Sequence, residues 1–367
     1  MPRACYIHIP FCKSKCFYCS FISFNKPEHI TGYIYSLLKE ISENYNGEKL
    51  NTLYFGGGTP SLLPADLLAK VINKFKLLPD AEVTIEVNPD DCSFDYLKEL
   101  NKIGFNRISI GSQTFDDKLL KLIGRRHDSN QIVETVKYAK EAGFKNISLD
   151  LIYGLPTQTL DDLKRDLEKF LELDIQHIST YGLKIDGGSY WGRGKCNGGK
   201  FLPDNIPDED TQADMYEKVN EILSNSDFFR YEVSNFAKKG FESRHNLTYW
   251  NNEEYYGFGV SAHGYVDGMR YSNYESLEKY MESPTRREYG RFLTEQEKLE
   301  EEIFLGFRKT SGVDISRIKA KFNVDFESEY KDILAKYSDY IVKTPDGYAF
   351  NLKGTLLSNE ILPDFLS

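Results

Sequence analysis

The sequence predicts an α/β protein. It is read as an incomplete barrel of six (β/α) units, followed by a small winged-helix-like module. Three observations carry that expectation. A short apolar strand, a turn and an amphipathic helix recur through the first half, which builds a parallel sheet with helices outside. Polar or glycine residues stand where one strand after another ends: Gly56 to Thr59, Glu86 with Asn88, Gln113, Asp150 and Tyr181. A barrel explains that spread more easily than an open sheet, which gathers its site at one switch point. From about Phe292 the composition turns charged and helical and ends in a hairpin signal.

The elements follow in order. "CYIHI" is β-branched and aromatic and reads as the first strand. "HITGYIYSLLKEISENY" has apolar residues at helical spacing. "LNTLYF" is a strand ending in "GGGTPS", and "PADLLAKVINKFKLL" is the next helix. "EVTIEVNP" precedes the helix "FDYLKELNKIG". "RISIGSQ" precedes "DKLLKLIGR" and "NQIVETVKYAKEAG". "NISLDLIYGLP" precedes "LDDLKRDLEKFLEL", and "HISTYGL" is the sixth strand. Gly104 and Gly143 read as helix C-caps. Six units instead of eight leave the barrel incomplete.

"IDGGSYWGRGKCNGGKFLPDNIPD" is rich in Gly, Pro and Asp and reads as a long loop. "EDTQADMYEKVNEILSNSDF" is a helix. The stretch from Arg230 to Gly268 is aromatic and has little helical periodicity. Then "EQEKLEEEIFLGFRKT", "DISRIKAKF" and "FESEYKDILAKYSDY" read as three helices, and "IVKTPDGYAFN" as a hairpin with a "PDG" turn. The expected division is 1–290 for the partial barrel with its extension and 291–367 for the helical, winged module.

Composition narrows the function classes. A hydrophobic fraction of 40% with 28% charged residues suits a folded globular chain. No apolar run reaches the length of a membrane span. The start "MPRACYIHIPFC" has no signal-peptide pattern, so a cytoplasmic protein with reduced thiols is expected. A net charge of -10 argues against nucleic acid as partner, because phosphate binding needs a positive surface. The 25 tyrosines and 24 phenylalanines suit core packing or a broad pocket for a flat aromatic ligand.

Three of the six cysteines, Cys12, Cys16 and Cys19, follow the first strand with the spacing C-x3-C-x2-C. A disulfide reading fails on the odd number and on the reducing compartment. Zinc wants four ligands, and His8 is the nearest further donor, although the alternation "YIHIP" puts it in a strand. A [4Fe-4S] cluster wants a ligand on each iron, so three cysteines leave one iron open. Cys5, Cys92 and Cys196 have no obvious spacing for the fourth place. The spacing leaves zinc and the cluster both standing.

Together, "YIHIPFCKSKCFYC", "GGGTPS", "EVNP", "RISIGSQTF", "GRRH" and "DLIYGLP" resemble the radical S-adenosylmethionine (SAM) proteins of the HemN/HemW group, over nearly the whole chain. The resemblance implies a radical-SAM partial barrel with a HemN-type C-terminal module. It implies a [4Fe-4S] cluster on Cys12, Cys16 and Cys19, with SAM on the open iron. It implies that Tyr6 contacts SAM and that Tyr18 packs beside the site. Gly57, Gly58 and Thr59 would hold the methionine end of SAM, with exposed amides in a glycine turn. Glu86 would take the ribose hydroxyls, as acids do in dinucleotide sites. Gln113, Arg125 and Asp150 would bind a second SAM or the substrate.

"HNLTYW" resembles a motif of the HemW branch, and His245 in it is a candidate heme ligand. His263 and His127 are lesser candidates. The porphyrinogen dehydrogenases of this group carry another cysteine where Phe21 stands, and an extension before the first strand. HemW proteins usually have aspartate where Ser20 stands. Two functions therefore follow from the resemblance. One is a heme chaperone that carries a cluster and SAM and delivers heme to acceptor proteins. The alternative is an oxygen-independent coproporphyrinogen III dehydrogenase of porphyrin biosynthesis, which turns propionates into vinyls through a 5'-deoxyadenosyl radical. Phe21 and "HNLTYW" favour the chaperone over the enzyme. The expected partners are heme and heme-accepting proteins, with room for peripheral membrane contact and a homodimer.

Overall fold

A computed structural model of the chain describes residues 1–196, 198 and 202–366. The first half is built of six units in sequence. They are β1 (Ala4–Ile9) with α1 (Ile30–Asn44), β2 (Lys49–Gly57) with α2 (Ala65–Ile72), β3 (Lys76–Val87) with α3 (Phe94–Lys102), β4 (Arg107–Gln113) with α4 (Asp117–Leu122) and α5 (Ser129–Glu141), β5 (Asn146–Tyr153) with α6 (Leu160–Glu172), and β6 (His177–Gly182). These strands pair in chain order, all parallel. The sheet remains open, as six units predict.

Local chemistry fixes most helix ends. α5 and α6 start in capping boxes, Asp128 with Gln131 and Thr159 with Asp162. Gly104 and Gly143 follow α3 and α5 with φ of 113° and 101°, a conformation that favours glycine. One expected helix is shorter than its sequence suggests. The stretch from Pro64 to Leu78 stops being helical after Ile72, because Lys76 and Leu77 pair with Lys49 and Leu50 of β2. Pairing with a neighbour overrides the apolar helical spacing there.

After β6 come α7 (Tyr190–Cys196), α8 (Glu209–Ser224), β7 (Phe229–Arg230), β8 (Asn235–Ala237) and α9 (Arg244–Trp250). α7 lies within the stretch expected to be loop, of which residues 197 and 199–201 are outside the described residues. β9 (Tyr255–Phe258) then pairs parallel to β1. β10 (His263–Val266), β11 (Met269–Ser272), the helix α10 (Leu277–Glu282) and β12 (Tyr289–Phe292) follow. The full sheet has 12 strands in the order β12-β11-β10-β9-β1-β2-β3-β4-β5-β6-β8-β7. The boundary expected after residue 290 falls inside β12, which pairs with β11.

The last part has its own core. α11 (Glu295–Gly306) opens with the capping box Thr294–Glu297. β13 (Val313–Asp314), α12 (Ile315–Phe322), α13 (Phe326–Glu329), α14 (Lys331–Lys336), β14 (Ile341–Lys343) and β15 (Gly347–Phe350) follow. The expected hairpin is β14–β15, with Ile341 opposite Phe350, and β13 adds a third strand. Leu299, Ile303, Phe307, Ile318, Phe326 and Phe365 pack together beneath it. Among the described residues no helix is long and apolar enough to cross a membrane.

One buried charge ties the β9–β12 extension to the barrel. Glu40 of α1 has 0% exposure. It accepts hydrogen bonds from Tyr280 Oη (2.6 Å), Asn273 Nδ2 (2.7 Å) and the Gly259 amide (2.9 Å), and pairs with Arg287. Removing one member of such a network strands the others in a dry interior. Glu40→Ala is expected to cost about 3–5 kcal/mol, by the usual penalty for breaking a buried pair. A urea titration that leaves the unfolding midpoint unmoved would refute this account of the junction.

Candidate functional site

The strands of the barrel alternate strictly. Cys5, Ile7, Ile9, Leu53, Phe55, Val83, Ile85, Val87, Ile108, Ile110, Ile147, Leu149 and Ile178 belong to the core under the helices. The other positions carry Tyr6, His8, Thr52, Tyr54, Glu82, Thr84, Glu86, Arg107, Ser109, Ser148, Asp150, His177 and Ser179. Successive strand residues face opposite sides, so this second set lines the concave face. Parallel strands are usually apolar on both faces. A polar interior cannot form a dry packed core, and here it makes a cleft.

The cysteine loop sits on the C-terminal ends of these strands. It is pinned by Phe24 N–H to the Pro10 carbonyl (2.7 Å), Cys12 N–H to the Phe24 carbonyl (3.1 Å) and Phe17 N–H to the Ile123 carbonyl (3.1 Å). Lys13 pairs with Asp91, and Arg126 pairs with Asp90 at 2.6 Å. Cys12, Cys16 and Cys19 are free thiols, each partly exposed. Cys12 Sγ lies 3.5 Å from Thr59 Oγ1, and Arg125 Nη1 lies 3.5 Å from Cys16 Sγ. Burial pushes the Cys19 thiol up to about 11, with the Phe21 amide and Lys15 working against it and the other two cysteines adding to the rise. Such a group needs a cation or metal to become a thiolate.

The spare donors stay out of this loop. Cys5 is in the core, the Cys92 thiol donates to the Asn88 carbonyl at 3.3 Å, and Cys196 is exposed. His8 lies in β1 as expected, with Nδ1 3.1 Å from Tyr6 Oη and Nε2 3.0 Å from the Ile22 carbonyl. Among the described residues no three His, Cys, Asp or Glu side chains converge as they do on a single ion. The donors present are three soft thiols on one loop. They suit a multi-iron cluster that takes one thiolate per iron.

The amides of the glycine turn are used within the protein. Gly57 N–H donates to Glu86 Oε2 (3.1 Å), Gly58 N–H to the Ile9 carbonyl (2.8 Å) and Thr59 N–H to the Phe11 carbonyl (2.8 Å). A side chain on Gly57, whose φ is 107°, would come 2.4 Å from the His8 ring, and one on Gly58 would come 2.7 Å from the Phe11 carbonyl. The glycines are needed because the cysteine loop, His8 and Glu86 crowd the turn. Thr59 does face the site, through Cys12 and through Asn88 Nδ2 at 3.1 Å.

Glu86 ends β3, accepting from Tyr54 Oη at 2.8 Å. Burial raises its carboxyl to about 7, against the lowering effect of the Tyr54 bond. Asp150 of β5 accepts from Ser109 Oγ at 3.3 Å, and burial raises it to about 6. Gln113 ends β4 at a break in register, with φ of 69°. A left-handed glutamine costs energy and marks functional sites more often than ordinary strand ends. Arg125 Nη2 donates to Asn88 Oδ1 and to the Gly111 carbonyl, both at 2.6 Å. Tyr18 lies close enough to Cys16 and Arg125 for its charging to depend on both. These residues come together at one mouth.

Several polar atoms around the cleft are buried without a partner: Thr84 Oγ1, Arg107 Nε, Asn146 Oδ1 and Arg125 Nε. Thr84, Arg107 and Asn146 are neighbours in register on three adjacent strands. Buried polar groups normally have partners, so an orphaned set in a cleft fits a bound polar ligand or water. Tyr54, Thr84, Arg107 and Ser109 were not foreseen as site residues. The period-2 alternation of polar and apolar residues in "LNTLYF", "EVTIEV" and "RISIGS" was their signal.

His245 is buried and hydrogen-bonded on both ring nitrogens. It is 1% exposed, within α9, at the opposite end of the strands from the cysteines. Nδ1 is 2.8 Å from Thr52 Oγ1 and Nε2 is 2.7 Å from Tyr249 Oη. Both ring nitrogens are thus engaged by hydroxyls in the chain without heme. His127 is likewise buried, 3.2 Å from the Ser112 carbonyl, whereas His263 is exposed at the start of β10.

Comparison with known proteins bears on the family and the fold. The family model of the radical SAM superfamily matches residues 6–170, and that of the HemN C-terminal domain matches residues 293–339. Proteins named heme chaperone HemW are similar over the full length. That of Lactococcus lactis is 41% identical, covering 100% of this chain and 97% of the relative. That of Bacillus subtilis is 36% identical, covering 99% of each. The solved structure of coproporphyrinogen III oxidase (HemN) from Escherichia coli superposes with a TM-score of 0.86 at 24% identity, over 99% of this chain and 90% of that one. The last of these establishes the shared fold. With its open six-stranded barrel, its cysteine loop and its full-length relatives, the chain belongs to the HemW family within the radical SAM superfamily.

Proposed function

We propose that the protein is a heme-binding chaperone that carries a [4Fe-4S] cluster and SAM and hands heme to acceptor proteins in the cytosol. The observation that carries this reading is the full-length similarity to proteins named heme chaperones, at up to 41% identity among those compared. Phe21, 65% exposed beside the third cysteine, and not a fourth thiol, sets the chain apart from the dehydrogenase pattern. The net charge of -10 argues against nucleic acid as the main partner.

Cys12, Cys16 and Cys19 would hold the cluster as thiolates, and Arg125 beside Cys16 offsets part of their charge. The cluster supplies an open iron position for SAM. Glu86 would accept the ribose hydroxyls, and Tyr54 and the Gly57 amide hold its carboxylate still. Tyr6 stacks on Tyr54 with ring centres 6.1 Å apart and walls the same side. Gln113, Arg125 and Asp150 would bind a second SAM or the substrate. Phe17 and Phe21 are exposed aromatic side chains on the cysteine loop, suited to a flat apolar ring.

Replacing Cys12, Cys16 or Cys19 by Ala is expected to abolish the iron–sulfur absorption of anaerobically reconstituted protein. Unchanged iron content and spectrum in any of the three would remove that cysteine from the ligand set. Heme titration of the reconstituted protein is expected to saturate near one heme per chain, read from the Soret band. No saturable band, together with coproporphyrinogen III turnover by the reduced, SAM-loaded protein, would replace the chaperone by the dehydrogenase.

A further inference from the structure

The end of β4 is bent against its own preference, and a side chain from an outer helix holds it there. Gln113 has φ of 69°, in the left-handed region that a glutamine enters only at a cost. Thr114 N–H donates to the Ser112 carbonyl at 3.0 Å, which closes a γ-turn about Gln113. A γ-turn of that sign is rare and strained. Strained backbone persists only where its neighbours leave no alternative. Here the chief neighbour is Asp166 of α6, 3% exposed. One of its oxygens accepts from Thr114 Oγ1 and the other from the Phe115 amide, both at 2.7 Å. Thr114 Oγ1 accepts in turn from the Asp116 amide at 3.0 Å, where α4 begins. On the near side of the turn the Ser112 hydroxyl donates to the Asp150 carbonyl at 2.6 Å, and the Ser112 carbonyl lies 3.2 Å from His127 Nε2. The turn brings the Gln113 amide back over Gly111. A methyl group on that glycine would come 3.1 Å from both Gln113 Nε2 and Arg125 Nη2, and 3.5 Å from Asn88 Oδ1. Arg125 Nε is buried there without a partner. Buried polar groups normally have partners, so a stranded guanidinium N–H at the mouth of a cleft points to a ligand group that fills the place.

We propose that Asp166 is a positioning residue: it enforces this turn through Thr114 and Phe115, and so holds the Gln113 amide beside Arg125 as one seat for a ligand carboxylate. This rests on the reading of Gln113 and Arg125 as residues that bind a second SAM or the substrate. A guanidinium and a primary amide can donate to one carboxylate together. SAM brings such a group at its methionine end, and heme brings two on its propionates. Asp166 itself touches no ligand, since both of its oxygens are used on the chain. It acts by denying the strand end its relaxed form. Without the clamp the chain from Ser112 to Phe115 can return to extended backbone, and the amide leaves its place. The strain belongs to the glutamine backbone and the binding to its side chain, so the two can be separated by substitution.

The test measures SAM binding by equilibrium dialysis and heme binding by the Soret band, on anaerobically reconstituted protein, with thermal unfolding alongside. Asp166→Asn removes one of the two acceptors. Thr114→Val keeps the shape and loses the hydroxyl that Asp166 holds. Each is expected to weaken the ligand seated at Gln113 about tenfold, the size of one lost hydrogen bond to a charged group. Thr114→Ser restores the hydroxyl and is expected to bind as the parent does. Gln113→Gly is expected to weaken the same ligand as much, yet to raise the unfolding temperature, because glycine takes a left-handed turn freely. Asp166→Asn in that background is expected to add little to the loss of affinity. A fall for SAM assigns the seat to the methionine carboxylate. A fall for heme, with heme dimethyl ester bound equally by parent and variant, assigns it to a propionate. Should Asp166→Asn fold poorly, Thr114→Val against Thr114→Ser carries the test. If Asp166→Asn and Thr114→Val lower the unfolding temperature but leave both affinities unchanged, while Gln113→Gly weakens one of them, Asp166 only supports the fold and the proposal is overturned. If Gln113→Gly leaves both affinities unchanged, the reading of Gln113 as a binding residue fails and takes the positioning role with it.

Discussion

A barrel lined with polar side chains cannot hold itself together from within. Everything else in the structure follows from that. The apolar half of each strand packs under the helices, where burial of Ile, Leu and Val supplies the stabilisation. The inner half carries Glu82, Glu86, Arg107, Asp150 and His177, which need partners, water or a ligand. The barrel therefore stays open on one side, takes α9 as a floor and keeps the cysteine loop as a rim. Site and fold are consequences of a single alternation.

The rim is held by backbone and not by the ligands it is built to take. Each amide of the Gly57–Thr59 turn is used inside the protein, on Glu86, Ile9 and Phe11. Two of those bonds run to the chain just ahead of Cys12, and the third runs to the Glu86 carboxylate. The turn thus sets the distance between the cysteines and Glu86. Asn88 and Arg125 repeat the arrangement on the other side, linking Thr59, Gly111 and Cys16. The result is preorganisation: side chains stand ready because their neighbours leave them no freedom.

Much of the fold was legible in the chain. Six strand–helix units, the glycine C-caps after α3 and α5 and the "PDG" hairpin all appear where local chemistry puts them. The cysteine spacing and the carboxylate at the end of "EVTIE" also pointed to the mouth of the cleft. The shorter α2 was hidden, because pairing of Lys76 and Leu77 with β2 decides it. So was α9, a seven-residue helix in which Thr248, Tyr249 and Trp250 are residues that propensity alone reads as extended.

His245 shows where the boundary lies. Residue type and motif mark it as important, and they suggest a ligand, because imidazole is a common one. What holds its ring is another matter: the hydroxyls on its two nitrogens come from Thr52, 193 residues away, and from its own helix. By itself the sequence determined the periodicities: which faces are apolar, where helices cap and where thiols cluster. Those depend on neighbours within a turn or a strand. The tertiary structure alone decided how each polar group is satisfied, since hydrogen-bond partners on β1, β2, β3 and α9 meet only once the sheet curves.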